Sequence, residues 1–165
     1  MIIFDADILS MFAKADSLCI MTKTLAKFKI CITPRIKEEL SVPLQYGFRF
    51  PEKIFDTVEL LFPTASESSL YDNFRSKYNN LGKGELESIS VAKSRSCIFA
   101  TNDKKAFAIA AKEGLTVINI HTILIAMFRK KVLDVDGIKE FIHRLEHADN
   151  TVILDKEKIF SSIDG

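Results

Sequence analysis

The sequence predicts an α/β fold: an open, mostly parallel sheet with helices on both faces, in three layers. Three observations predict it. Short apolar runs recur along the 165 residues. Each gives way to a polar or turn residue and then to helical periodicity, the alternation of a parallel sheet. The runs are apolar throughout instead of alternating, as in strands buried on both faces. An apolar content of 47% supplies core enough for a single domain spanning 1–165.

The first run, IIF at 2–4, is followed by DADIL, which opens a helix. The second, ICI at 30–32, runs into Thr33 and Pro34, a helix start with the hydroxyl placed to cap and proline at the first helical position. From 41 to 80 the pattern is irregular, broken by Pro43, Gly47, Pro51 and Pro63. It reads as an elaborated connection of short helices forming a lid or partner surface. Within it, DTVEL at 56–60 is either a further strand or an irregular segment. A helix is expected to begin near Gly84. CIFA at 97–100 is the third main strand, and the helix after it ends at Gly114, a natural left-handed terminator. TVI at 116–118 is the fourth, leading into HTILIAMFRKK, and TVIL at 151–154 is a candidate fifth.

Composition narrows the function classes. The 23 basic and 22 acidic residues nearly cancel, so any nucleic-acid binding must come from local placement of charge. Cys19, Cys31 and Cys97 are odd in number and set in apolar runs, which fits buried thiols in a reducing cytoplasm better than disulfides. No apolar run reaches the roughly 18 residues of a membrane span, and the start lacks a signal-peptide layout. A cytoplasmic protein is expected, with no membrane partner.

The acids carry the chemistry. In open α/β sheets the functional crevice lies at the carboxyl ends of the strands, and two strands end in aspartate: Asp5 after IIF and Asp103 after CIFATN. Each can instead cap its helix, which is worth about 1 kcal/mol. Glu85 shares a helical stripe with Ile89 and Ala92 and points with the apolar face, while Glu87 lies off that stripe. In PRIKEEL, Glu39 sits beside the apolar positions and Glu38 on the wet face; Glu39 is the first choice and Glu38 the alternative. Asp5, Glu39, Glu85 and Asp103, with Asp7 nearby, would then meet at one end of the sheet. Crowded carboxylates raise one another's pKa unless a cation neutralises them. Oxygen-only donors favour Mg²⁺ or Mn²⁺, and such an ion promotes phosphodiester hydrolysis.

FDADIL, PRIKEEL, LGKGELESI and FATNDKKA resemble, in order and spacing, the acidic motifs of the PIN domain, a metal-dependent ribonuclease family that includes the toxins of VapBC toxin and antitoxin pairs. EGLTVINIHTILIAMFRKKVL resembles the strand and helix that follow the last acidic motif in that family. The resemblance implies a PIN-like three-layer sandwich and matches Asp5, Glu39, Glu85 and Asp103 to the family's four acidic positions. It further implies one or two Mg²⁺ or Mn²⁺ ions, RNA as substrate, a protein antitoxin as partner and a homodimer. Asp7 stands where many relatives carry asparagine, Asn102 where some carry a further aspartate, and Thr101 matches a hydroxyl beside the fourth acid. Lys83, Lys104, Lys105 and the run Arg129, Lys130, Lys131 are candidates for phosphate contact, although a solvated helix face is the commoner role for any one of them. Phe48, Phe50, Phe55 and Phe62 serve either an interface or the core.

Three rival readings stand beside this one. The acids can cap helices in a PIN fold that binds RNA or protein without cutting. Asp5 and Asp7 match the D-x-D start of haloacid-dehalogenase-type phosphatases, but Leu9 replaces the usual threonine or valine and no GDxxxD-like pair follows. HRLEH at 143–147 matches the H-x-x-E-H zinc-protease motif. Its histidines, however, lie off the stripe formed by Ile138, Phe141, Ile142 and Leu145, and solvated histidines are expected.

Overall fold

The structure, a computed structural model, describes residues 1–163. Strand β1 (Ile2–Phe4) leads into helix α1 (Ala6–Lys14), and α2 (Leu18–Thr24) returns to β2 (Ile30–Ile32) and α3 (Pro34–Ser41). A 3-10 turn at Val42–Tyr46, ended by Gly47 at φ +84°, precedes α4 (Phe50–Phe55), β3 (Glu59–Leu60), α5 (Ala65–Lys77) and α6 (Lys83–Ser94). Then come β4 (Ile98–Ala100), α7 (Lys104–Lys112), β5 (Val117–Ile118), α8 (Ile120–Arg129), α9 (Val135–Asp149) and α10 (Lys156–Ile163). Gly114 has φ +85° behind α7, as its position predicted.

The sheet is parallel throughout, in the order β3-β2-β1-β4-β5. Period-two geometry divides each apolar run between two cores. Ile2, Phe4, Ile30, Ile32 and Ala100 enter one, packed with Phe12, Ile36, Met127 and Phe141. Ile3, Cys31 and Phe99 enter the other, packed with Tyr71, Phe74, Leu86 and Ile89. The three layers expected from the sequence follow directly.

Several local expectations change. The fifth strand is Glu59–Leu60, not 151–154. The later segment joins no strand because its backbone groups bond elsewhere: the Thr151 N–H donates to the Glu146 carbonyl, the Ile153 N–H to the Glu146 carboxylate, and the Leu154 carbonyl is bonded to His121. Thr33 occupies the cap position of α3 without capping it; its buried hydroxyl lies 3.4 Å from that of Ser88. Cys19 is exposed on α2, while Cys31 and Cys97 are buried as expected. The connection at 41–80 contains a 13-residue helix, α5, besides its short elements. Phe50 and Phe55 pack against the core, whereas Phe48 and Phe62 are exposed. His143 and His147 are exposed on α9, as expected.

One buried charge anchors α5. The Thr64 N–H donates to Glu67 Oε2 (2.7 Å), Thr64 Oγ1 accepts from the Glu67 N–H (3.3 Å), and Arg95 grips both carboxylate oxygens at 2.7 and 2.9 Å. These bonds, Arg95 foremost, hold the Glu67 carboxyl down at about 2. Glu67→Ala removes the carboxylate partner of both Arg95 and the Thr64 N–H, leaving Arg95 the Phe62 carbonyl, and should cost about 3 kcal/mol in urea unfolding at neutral pH. A loss below about 1 kcal/mol would show that the network is only a surface contact.

Candidate active site

The carboxyl ends of the strands open into a cleft of about 420 Å³ lined by Asp5, Asp7, Glu39, Glu85 and Asp103 together with Gly82 and Asn102. All four first-choice acids are brought to it. Glu38, the alternative to Glu39, is exposed and does not line it.

Asp5 is the inner wall. It follows the central strand and is only 6% exposed. Its Oδ1 accepts from the Ala6 N–H (2.8 Å), and its Oδ2 from the hydroxyl of Thr101 (2.9 Å), which is fully buried at the end of β4. The same hydroxyl accepts from the Asp103 N–H at 3.1 Å. Thr101 therefore ties two acidic positions together across adjacent strand ends.

Asp103 caps α7, with Oδ1 accepting from Lys105 and Ala106 N–H groups at 2.8 Å each. The capping expectation is met for both aspartates. It uses one oxygen for each helix end, however, and Asp103 Oδ2 has no hydrogen bond among the described residues, so at Asp103 capping and ligation do not compete. Glu85 likewise accepts from the Gly82 N–H through Oε2 (2.7 Å) and keeps Oε1 free. Only this half of a capping box exists, since Gly82 has no side chain to return the bond.

Glu39 reaches the cleft from α3. A Cβ built on Gly84 would lie 2.7 Å from Ile36 Cδ1 and 3.2 Å from Glu39 Oε2, so glycine lets α3 and α6 approach closely enough to face Glu39 towards Glu85. Glu87 adds a clamp that the stripe argument passed over: its Oε2 accepts from the Arg35 N–H (3.0 Å), and Oε1 lies 3.3 Å from the Arg35 guanidinium. An acid four residues after a helix start, in the neighbouring sequence motif, was the available signal.

Asp7 accepts from the Asn102 N–H through Oδ2 (3.1 Å). Asn102 does not stand in for a missing acid. Its Oδ1 accepts from the Ile120 N–H (2.9 Å), fastening the start of α8. Among the basic candidates, Lys83, Lys104 and Lys105 lie on the cleft edge of the sheet. Arg129, Lys130 and Lys131 do not: α8 starts at this edge and runs back to the opposite one, where Lys130 bonds to the Thr24 carbonyl.

The cleft is electrostatically strained. Burial first, then the charge of Asp5, pushes Asp7 to about 7. Burial, then Asp5, Asp103 and Glu39, pushes Glu85 to about 7. Asp5 and Glu39 are raised by the same two causes, burial ahead of a neighbouring carboxylate. The all-oxygen donor set, its free oxygens and its excess negative charge fit a hard divalent cation. Among the described residues, no three acidic, histidine or cysteine side chains already converge on one point as a closed cage. An ion here would complete its shell with water, as Mg²⁺ commonly does.

A sequence profile of the PIN domain matches residues 1–158. The chain belongs to the PIN domain family. PIN domains are in general nucleases and generally use divalent metals. The likeness to solved structures is one of fold. A PilT N-terminus domain protein from the archaeon Sulfolobus solfataricus P2 is 17% identical, with a TM-score of 0.50, and the match covers 74% of this chain and 88% of that one. VapBC-1 from nontypeable Haemophilus influenzae is 18% identical, with a TM-score of 0.55, covering 72% of this chain and 98% of the other. No curated protein matches. With the PIN domain matched over most of the chain and no GDxxxD-like pair late in the sequence, the phosphatase reading gives way. Among the described residues no helix is long and apolar enough to cross a membrane.

Because Asp7 and Glu85 titrate near 7 when folded and near 4 when unfolded, the metal-free folded state binds more protons between those values. Its stability should therefore fall as pH rises from about 4 to 7 and level off above. At pH 8 without divalent ions, Asp7→Asn should raise Tm by about 3–6 °C, and the gain should vanish at pH 4. Calorimetry in EDTA checks this; equal Tm values for the two proteins at pH 8 would contradict it.

Proposed function

We propose that residues 1–165 act as a single PIN nuclease domain, a Mg²⁺- or Mn²⁺-dependent endoribonuclease that cuts single-stranded or looped RNA. One observation carries the reading: in a PIN domain, five carboxylates from four separate stretches share one partly buried cleft, where burial and neighbouring charge raise the pKa of Asp5, Asp7, Glu39 and Glu85.

Asp5, Glu39, Glu85 and Asp103 would hold the ion. Bound there, it supplies a water of lowered pKa and positive charge against the phosphate. The chain's own part is positional. Asp5 is locked by Thr101 and Ala6, Asp103 by the start of α7, and Glu85 by Gly82, so three acids are fixed before substrate arrives. Lys104, next to Asp103, is placed to steer the RNA backbone. Protons on Asp7 and Glu85 compete with the ion, so activity should climb between pH 6 and 8.

The resemblance to VapBC toxins supports a toxin role, with a protein antitoxin as partner, in the cytoplasm. Exposed Tyr46, Phe48 and Phe62 would serve an interface, either with the antitoxin or in a homodimer. A binding-only PIN fold is the second reading, favoured by the lack of three preassembled donors among the described residues.

Cleavage of a mixed panel of RNA and DNA separates them. The enzyme reading predicts RNA cleavage in Mn²⁺ or Mg²⁺ that EDTA abolishes. Asp5→Asn and Glu85→Gln should each lower kcat more than about 100-fold, and Thr101→Val about 10- to 100-fold. RNA binding without turnover in the wild-type protein, unchanged in Asp5→Asn, would support the second reading instead.

A further inference from the structure

A second cavity, of about 500 Å³, lies beside the acidic cleft. Asp7 and Asn102 line both, so the two spaces adjoin. The second cavity is lined by residues at the ends of β4 and β5, by Lys104 and Phe107 of α7, and by the segment 151–155. That segment is held by Glu146 and His121, with Ile153 in the core and Val152 and Leu154 turned out, 67% and 58% exposed.

The charges in this cavity are mostly paired. Asp155 is 2.8 Å from Lys158, and Asp149 is 2.6 Å from Lys14. Lys104 makes no ion pair among the described residues. The amides are more telling. The oxygen of Asn102 accepts from the Ile120 N–H, and that of Asn119 from the Thr122 N–H and hydroxyl. Backbone donors thus fix which end of each amide is the oxygen, and both NH₂ groups are left without a partner among the described residues. The cavity therefore offers an aromatic ring, exposed aliphatic side chains, free amide donors and a free cation.

We infer that this cavity holds the nucleobase next to the phosphodiester bond in the acidic cleft, and that it favours a base with an acceptor-rich edge, uracil or guanine. The inference rests on the nuclease reading of the cleft. The volume suits one nucleoside-sized group. Stacking on Phe107 and contact with Leu154 require an exposed base face, which single-stranded RNA presents and a duplex hides. Lys104 lines the cavity and follows Asp103, which lines the cleft, so its ammonium is available to the connecting phosphate. Uracil and the N7 and O6 edge of guanine accept from amide NH₂ groups, whereas adenine and cytosine place an amine of their own there.

The test uses the full chain in two arms. Without metal, UMP and GMP should shift the NMR signals of Phe107 and His121 with Kd values at least about threefold below those of AMP and CMP, and Phe107→Ala should weaken binding about tenfold. With Mn²⁺, Leu154→Asp, an exposed position that folding tolerates, should raise KM for single-stranded RNA about fivefold, leave kcat within about twofold and blur the preference at the cut site. Equal or absent binding of the four nucleotides, with KM and cut sites unchanged in Leu154→Asp, would overturn the base site while leaving the nuclease reading intact. Selective nucleotide binding without any turnover would instead overturn the nuclease reading and keep the cavity as a base site. If both variants lose only the binding of a protein partner, the cavity is an antitoxin surface and the inference falls.

Discussion

A carboxylate sealed at the end of the central strand organises this protein. Asp5 is nearly inaccessible, at the place where β1 stops between β2 and β4. A buried negative charge needs donors, and it finds two: the first amide of α1 and the hydroxyl of Thr101. Those bonds explain why Thr101 is fully buried, why α1 departs at Asp5, and why the neighbouring strand end turns so that Asp103 begins α7 close by. Because β1 is central, the helix after β2 supplies Glu39 from one side and the loop after β4 supplies Asp103 from the other. Glu85 arrives from α6, brought near α3 by the missing side chain of Gly84.

The arrangement opposes folding on its own. Burial and neighbouring carboxylates raise Asp5, Glu39, Asp7 and Glu85, the last two to about 7. Local bonds hold the strained groups in place without neutralising them: a helix start for Asp103, the Gly82 amide for Glu85, the Asn102 amide for Asp7. At Asp103 and Glu85 the bonds occupy one oxygen and leave the other without a partner among the described residues, whereas both oxygens of Asp7 accept, from the Ile8 and Asn102 N–H groups. The result is a negatively charged, water-accessible hollow whose charge is complemented by a divalent cation.

Much of this was legible in the residues. Unbroken apolar runs marked four of five strands because parallel strands are buried on both faces. Asp5 and Asp103 were visible because strand ends locate the crevice, and Glu85 and Glu39 because they share faces with buried positions. Other features hide from periodicity. Segment 151–154 has a strand's composition, yet its backbone is satisfied by Glu146 and His121, partners that only the fold brings near. The edge strand Glu59–Leu60 is too short to show a pattern. Helix α5 presents a mostly polar surface with buried anchors at Tyr71 and Phe74, and reads as irregular. Asn102 resembles a substituted acid in sequence; its role in fastening α8 depends on a contact 18 residues away.

Anomalous diffraction from crystals grown in millimolar Mn²⁺ tests the central claim most directly. The account predicts a manganese peak in the acidic cleft, within about 2.0–2.3 Å of a carboxylate oxygen from Asp5 and from at least two of Glu39, Glu85 and Asp103, with water completing its shell. A cleft without metal at that concentration, its carboxylates still apart, would contradict it.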